Sequence, residues 1–451
     1  MMTSLRDFRK AALPLFGLPF FFLSGCRPED PVQKTFTNEP LGTETQVQSV
    51  RVARDWPTLF GPYGNSEIPR DVDFLRLKNE LSREKWRIAI GTGYSSPVIS
   101  AGQVTVTMRI ADEEVVRSYD LDQGQVKWEA RWPTSFECPY DYSNGPASTP
   151  LLVDGRLYVL GAEGAMRCYD ILTGELVWGR HLINEGDFSV GPFGLGSSPQ
   201  IAGEHVIFQV GQADQHGCLM AIDRSTGETV WTAVEAAASC STPVIFERNG
   251  KLMLIALTDR GLVSLDARDG EILGEYPFRS RIPLQINATT PVRQHSKLWV
   301  SAYGLGTTAL EITSDGALSK LWSHKRSLDS QYNNLLMRPE GLIGFSARGH
   351  DLTCVDPING TILWQLACPS GRGNSITAGN QLLVLGETGI ISVVLLEADS
   401  ARVLYSSSAS VLRGRCFSMP AYSQDTLVLR SDQELVGLHL PTRSNDKRVS
   451  E

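Results

Sequence analysis

One pattern constrains this chain more than any other: an Asp, a Gly four residues later, and a Trp four residues after that. It occurs at Asp120, Gly124 and Trp128; at Asp170, Gly174 and Trp178; at Asp223, Gly227 and Trp231; and at Asp356, Gly360 and Trp364. Weaker copies fill the intervals. Asp266 and Gly270 lead to Tyr276, Glu311 and Gly316 lead to Trp322, and Glu397 leads to Tyr405. The closing aromatics recur every 41–53 residues, a spacing that belongs to repeat architectures and not to a single-copy domain.

The residues between these anchors decide which repeat it is. Units open on a small residue before Pro: Ser96-Pro97, Thr149-Pro150, Ser198-Pro199, Thr242-Pro243, Thr290-Pro291 and, with Met in place of the small residue, Met419-Pro420. A polar turn and an apolar run follow, then a second turn, a second run, the Asp–Gly turn and the Trp. That is four short strands per unit with no room for a helix. The Asp side chain caps the turn backbone, the Gly supplies its left-handed residue, and the Trp on the outermost strand buries its ring between sheets. Four-stranded units arranged around an axis make an all-β propeller.

The copy number predicts eight blades, with seven as the alternative. Seven units end at aromatics 128, 178, 231, 276, 322, 364 and 405, and residues 417–440 supply inner strands with no outer one. Residues 85–88, carrying Trp86, form an orphan outer strand upstream. Pairing the two closes the ring and removes its exposed edges. Trp86, Trp128, Trp178, Trp231, Trp322 and Trp364 are thus the structural anchors of a propeller over residues 86–441, preceded by a leader at 55–85 and followed by a polar tail at 442–451.

Residues 1–25 read as an address. Arg6, Arg9 and Lys10 precede an apolar run at 11–23, too short to span a bilayer as a helix, which takes about 20 residues, and typical of an export signal. The run ends in Leu23-Ser24-Gly25-Cys26, which resembles a bacterial lipobox and makes Cys26 the lipidated residue. Residues 26–54 are polar and contain Pro28, Pro31 and Pro40, as expected of a tether. The seven Cys after Cys26 are an odd number, so at least one stays unpaired; Cys168 and Cys354 fall at apolar strand positions. A formal net charge of −8 argues against nucleic acid as a partner.

The repeat resembles the PQQ-binding-like β-propeller family, whose motif includes the Thr found here at Thr173 and Thr226. The segment from Asp55-Trp56-Pro57 to Phe60-Gly61-Pro62 resembles the leader of exported bacterial members. Two branches share this fold: quinoprotein dehydrogenases, and envelope scaffolds of the BamB-like outer-membrane assembly type. The dehydrogenase branch implies adjacent cysteines over the quinone, and no two Cys are adjacent here. The seven His form neither His-Glu-x-x-His nor His-x-His, so no zinc motif is present, and residues 344–349 miss the nucleophile-elbow spacing by one. No catalytic residue, no metal and no PQQ cofactor is expected. Asp112-Glu113-Glu114 reads as a solvated loop tip.

Function is therefore expected on the propeller face that carries the long connections between blades, since long loops on a rigid scaffold are where binding resides. Those loops carry Tyr140, Asp141, Tyr142, Arg279, Arg281, Tyr332, Arg372 and Arg415, of residue types enriched at interfaces. The expected protein is a lipid-anchored, non-catalytic scaffold on the periplasmic side of the outer membrane, monomeric within a complex and holding a protein or peptide partner. A PQQ- or metal-dependent oxidoreductase and a sugar-binding module are the alternatives.

Overall fold

A computed structural model of the chain describes residues 55–80, 84–140, 142–185, 188–211, 217–279 and 287–442. Cys26, the export signal and the tether lie outside the described residues, as do Asp141 and Arg281. The described strands form eight four-stranded antiparallel sheets, the blades of one propeller. Blade 1 is built from Val98–Ser100, Gln103–Ile110, Glu113–Asp120 and Val126–Pro133, in order from the axis outward. Blades 2 to 7 repeat that order and occupy residues 151–181, 200–233, 244–277, 292–324, 336–366 and 373–406.

Blade 8 is composite. Ala421–Ser423, Thr426–Arg430 and Glu434–His439 supply its inner strands, and the N-terminal strand Glu84–Ala89 supplies the outer one. Trp86 pairs with Gly437, Arg87 with Val436 and Ile88 with Leu435. Joining the two ends of the chain in one sheet leaves no open seam in the ring, as the orphan Trp strand predicts. Among the described residues no helix occurs within a blade; single helical turns lie at Phe74–Arg76, Leu77–Glu80 and Leu182–Glu185.

The inner strands are buried on both sides because each blade is sandwiched between two neighbours. Val104, Val106 and Met108 in one strand, and Leu382, Leu383, Val384 and Leu385 in another, have no exposed surface. Each such side chain contributes about 1.5–3 kcal/mol by leaving water. Outer strands are more open instead, with exposed Leu176 and Val177 beside half-buried Trp178.

The repeat is a lock between consecutive blades. Trp128 Nε1 donates to Ile171 O at 2.8 Å, Trp86 Nε1 to Leu121 O at 2.9 Å, and Trp178 Nε1 to Arg224 O at 3.1 Å. Each acceptor is the residue directly after the Asp of the next blade. Asp170 Oδ1 in turn accepts the backbone N–H groups of Leu172 and Thr173 at 3.0 and 3.1 Å. Gly174 has φ +73, and a Cβ there would lie 2.5 Å from the Trp128 ring. Turn geometry and the flat indole above it therefore both require glycine. Trp364 lacks a partner for Nε1, and the matching turn of the following blade, Glu397-Ala398-Asp399-Ser400, contains no Gly and opens on Glu in place of the capping Asp.

Residues 55–80 form a strap under the ring. Trp56 exchanges backbone hydrogen bonds with Ile99 of blade 1, Ile68 N donates to Thr377 O of blade 7 at 2.8 Å, and Phe74 N donates to Gln381 Oε1. Trp56 is 1% exposed, so the strap is part of the core.

Candidate functional site

A belt of side chains at the start of each innermost strand holds the axis together. Ser96 N donates to Thr149 Oγ1 at 3.0 Å, Thr149 N to Ser198 Oγ at 3.0 Å, Ser198 N to Thr242 Oγ1 at 3.3 Å, and Thr242 N to Thr290 Oγ1 at 3.1 Å. Amides continue it, with Asn334 N donating to Asn374 Oδ1 at 3.1 Å, and Met419 N donates to Ser96 Oγ at 2.9 Å across the closure. Met419 has no hydroxyl, so blade 8 receives no bond of this kind from its neighbour. The residue before the belt member adds a second bond in the same direction in places: Ser148 Oγ donates to Ser197 O at 2.9 Å, and Ser418 Oγ to Tyr94 O at 2.9 Å. The Pro that follows needs no amide partner. Sequence reasoning found the Ser/Thr-Pro element and missed the hydroxyl before it, although the doublet recurs in five units and Ser418 keeps its first member in a sixth.

Above the belt, five loops meet in an aromatic cluster. The Tyr94 ring lies 4.8 Å from Tyr142 and 4.9 Å from Phe417, Tyr332 lies 5.0 Å from Phe417, and Phe193 packs edge-on to Tyr142 at 5.5 Å. These are the offset and edge-to-face geometries that aromatic pairs favour. Burial pushes the hydroxyls of Tyr142 and Tyr332 well above the usual tyrosine range. Between the cluster and the Leu59–Phe60 part of the strap remains a chamber of about 110 Å³, well under the roughly 300–1,000 Å³ of small-molecule sites.

Some of the expected face residues belong to this cluster. Tyr140 is exposed and stacks on Phe193 at 5.3 Å. Tyr142 and Tyr332 are half-buried and turned inward, not outward. The Tyr332 hydroxyl donates to Glu387, while Arg372 lies over its ring at 5.5 Å and reaches Glu387 at 3.0 Å. Arg279 and Arg415 stand apart from the cluster. Arg279 is exposed and 4.0 Å from Asp259; Arg415 is exposed, and its backbone N–H donates to Asp432 Oδ1 at 2.9 Å.

The acidic tip needs a correction. Asp112 is solvated, but Glu114 is only 1% exposed. Its carboxylate accepts the Trp132 indole N–H and, from blade 2, the Ala162 backbone N–H, each at 2.7 Å. Burial raises its pKa above the usual carboxylate range. A Cβ at Gly161 would collide with Oε2, so the blade 2 loop is shaped around this acid. Nothing in the local Asp-Glu-Glu run marks the difference, because the burial comes from another blade. All seven Cys after Cys26 are free thiols, with Cys168 and Cys354 buried. No group of three or more His, Cys, Asp or Glu among the described residues has metal-binding geometry. No described helix is long and apolar enough to cross a membrane.

Comparison with known proteins adds a family. The family model described as "Outer membrane protein assembly factor BamB" matches residues 112–365, more than half of the chain. The BamB of Escherichia coli (strain K12) is 24% identical over 212 residues, covering 47% of this chain and 48% of that protein. That of Yersinia pestis is 26% identical over 178 residues, covering 38% and 40%. The matched stretch thus spans less than half the length of these relatives. Among solved structures, BamB from Moraxella catarrhalis superposes with a TM-score of 0.57 at 16% identity, covering 79% of this chain and 99% of that one. Quinohemoprotein alcohol dehydrogenase from Comamonas testosteroni superposes with 0.56 at 12%, covering 85% and 80%. At such identities these superpositions establish the propeller fold alone.

Proposed function

The chain belongs to the outer membrane protein assembly factor BamB family, and from that premise we propose that it is a non-catalytic scaffold that docks an outer-membrane assembly protein on its long-loop face. The observation that carries this reading is the filled axial mouth. Tyr94, Tyr142, Tyr332 and Phe417 occupy the position where an enzyme of this architecture needs an open pocket, and the chamber beneath holds about 110 Å³. The same loops leave Tyr140 and several arginines outside, a surface for a protein and not for a small molecule.

Lipidation at Cys26 would tie the scaffold to the membrane. Asp55 Oδ2 accepts from Ser100 Oγ at 2.8 Å beside the first hairpin of blade 1, on the face opposite the long loops. The described leader thus meets the ring on that opposite face, which leaves the long-loop face open to a partner. The test is crosslinking in intact envelopes followed by purification through a C-terminal tag. The reading expects an outer-membrane assembly protein in the crosslinked species and no quinone absorbance in the pure chain. Quinone absorbance with substrate-dependent dye reduction would overturn it in favour of an oxidoreductase.

A further inference from the structure

The charges of the long-loop face are sorted by position and by depth. In the loops of blades 4 to 7 the exposed ionised residues are basic: Arg260, Arg279, Lys325, Arg326, Arg348 and Arg413, with Arg415 beside them. The described acids of the same face lie below them: Asp259, Asp351, Glu387 and Asp432 are half-buried, and Asp329 and Glu434 are buried. The loops of blades 1 to 3 reverse the sign, exposing Asp112, Glu137 and Glu235 and, among the described residues, no Lys or Arg.

These acids are engaged by the scaffold itself. Asp329 Oδ1 accepts Ala347 N at 3.1 Å and Ser346 Oγ at 2.7 Å; Glu434 Oε2 accepts Arg413 N at 2.9 Å and pairs with Arg87 at 2.7 Å; Asp259 Oδ1 accepts Ala237 N at 2.8 Å. Each also anchors one arginine by one edge. Arg348 Nε lies 3.0 Å from Asp329, Arg413 Nε 3.6 Å from Glu434, and Arg279 Nη2 4.0 Å from Asp259. Yet these three side chains remain 54%, 85% and 68% exposed. A guanidinium has five N–H donors, so an arginine steered by one buried carboxylate keeps donors for a second. Beside Arg413 and Arg87 a cleft of about 340 Å³ opens between blades 7 and 8, floored by Val411 and Leu412, wide enough to admit a side chain.

We propose that the blade 4–7 arc of arginines grips an acidic segment of the partner protein, while the acidic rim of blades 1–3 repels it and fixes its orientation. This rests on the docking reading above and adds the chemistry of what docks. Bidentate Arg–carboxylate pairs supply the selectivity, and an arc of one sign on a chain of net charge −8 steers approach. Anionic lipid is the other source of negative charge. It is disfavoured because exposed Asp112, Glu137 and Glu235 share the face and would repel a planar anionic surface.

The test uses the tagged chain without its signal, a labelled Glu/Asp-rich peptide of about twelve residues, a Lys-rich counterpart, and phosphatidylglycerol vesicles. The expected result is binding of the acidic peptide alone, weakened about tenfold or more by R279E/R348E/R413E and by raising salt from about 50 to about 200 mM. D112K/E137K should leave it as tight or tighter. Because reversal next to buried Asp329 and Glu434 could unfold the loops, R279Q/R348Q/R413Q is the paired variant, expected to lose most of the binding with an unchanged melting temperature. Equal binding of both peptides, or vesicle binding without peptide binding, overturns the proposal. In the envelope, the triple Gln variant should lose the crosslink formed through Tyr140. If that crosslink persists undiminished, acid recognition is wrong while docking stands; if the unsubstituted chain never crosslinks there, docking itself is wrong.

Discussion

Glu114 of blade 1 and Ala162 of blade 2 are joined by a 2.7 Å hydrogen bond from the Ala162 backbone N–H to a carboxylate almost wholly withdrawn from water. Two N–H donors, from Ala162 and Trp132, converge on this acid, yet desolvation outweighs them and raises its pKa. The folded state then binds the proton more tightly than the unfolded state. Stability from this group is present below the unfolded value of about 4.3 and is lost as pH rises through the raised folded value. Glu114→Gln removes the titration and sets an NH₂ against one of the two donors, at a cost of about 1–3 kcal/mol. Melting temperatures of both proteins between about pH 4 and 8 should show the native advantage shrinking as pH rises. An advantage that grows with pH contradicts the assignment.

The closure of the ring makes a second prediction. Trp86 is 7% exposed, pairs with Gly437 and donates to Leu121 O. Trp86→Ala should cost about 3–5 kcal/mol, and removal of residues 84–89 should expose the Glu434–His439 edge and cause association. A deletion variant that stays monomeric in light scattering, with the native melting temperature, would rule out the closure.

The axial belt predicts a graded response. Thr149→Val keeps the side-chain shape but strands the buried Ser96 N–H, at about 1–3 kcal/mol in denaturant titration. Thr242→Val and Thr290→Val should behave alike, because each hydroxyl accepts from the blade before it. No loss at any of the three positions would mean that the belt is incidental.

The anchor is tested at one atom. Cys26→Ser removes the thiol that a lipobox lipidates, and stable attachment takes more than one acyl chain. The variant should move from washed membranes to the soluble fraction. Continued pelleting would show a different attachment.

The parts of this molecule that sequence made legible are those where one residue has one periodic task. Asp170 caps, Gly174 lies under Trp128, and Trp128 reaches Ile171 O. Because the same contact recurs blade after blade, it leaves a spacing that can be counted, and the orphan Trp86 strand gave the closure. The aromatic mouth left no spacing. Tyr94, Tyr142, Tyr332 and Phe417 come from four loops of unlike length, and only the ring brings them within 4.8–6.1 Å contacts. Tyr142 and Tyr332 were legible as loop aromatics, but not as an inward-facing plug. Depth was hidden too: Asp329 and Glu114 are acids in polar stretches, buried by neighbouring blades that the local sequence does not reveal.

The central claim is that one face works and the other does not. The most direct measurement places a photoreactive amino acid at Tyr140, Arg279 or Arg413 on the long-loop face, and at Leu172, Glu175 or Arg224 among the opposite Asp–Gly turns. Those turns spend their residues on capping, as with Asp223, whose carboxyl is held down to about 2 by hydrogen bonds from Ser225 and Thr226. Irradiated in intact envelopes, the first set should crosslink to an outer-membrane assembly protein and the second set should not. Equal crosslinking from both faces, or crosslinking only from the turn face, contradicts the account.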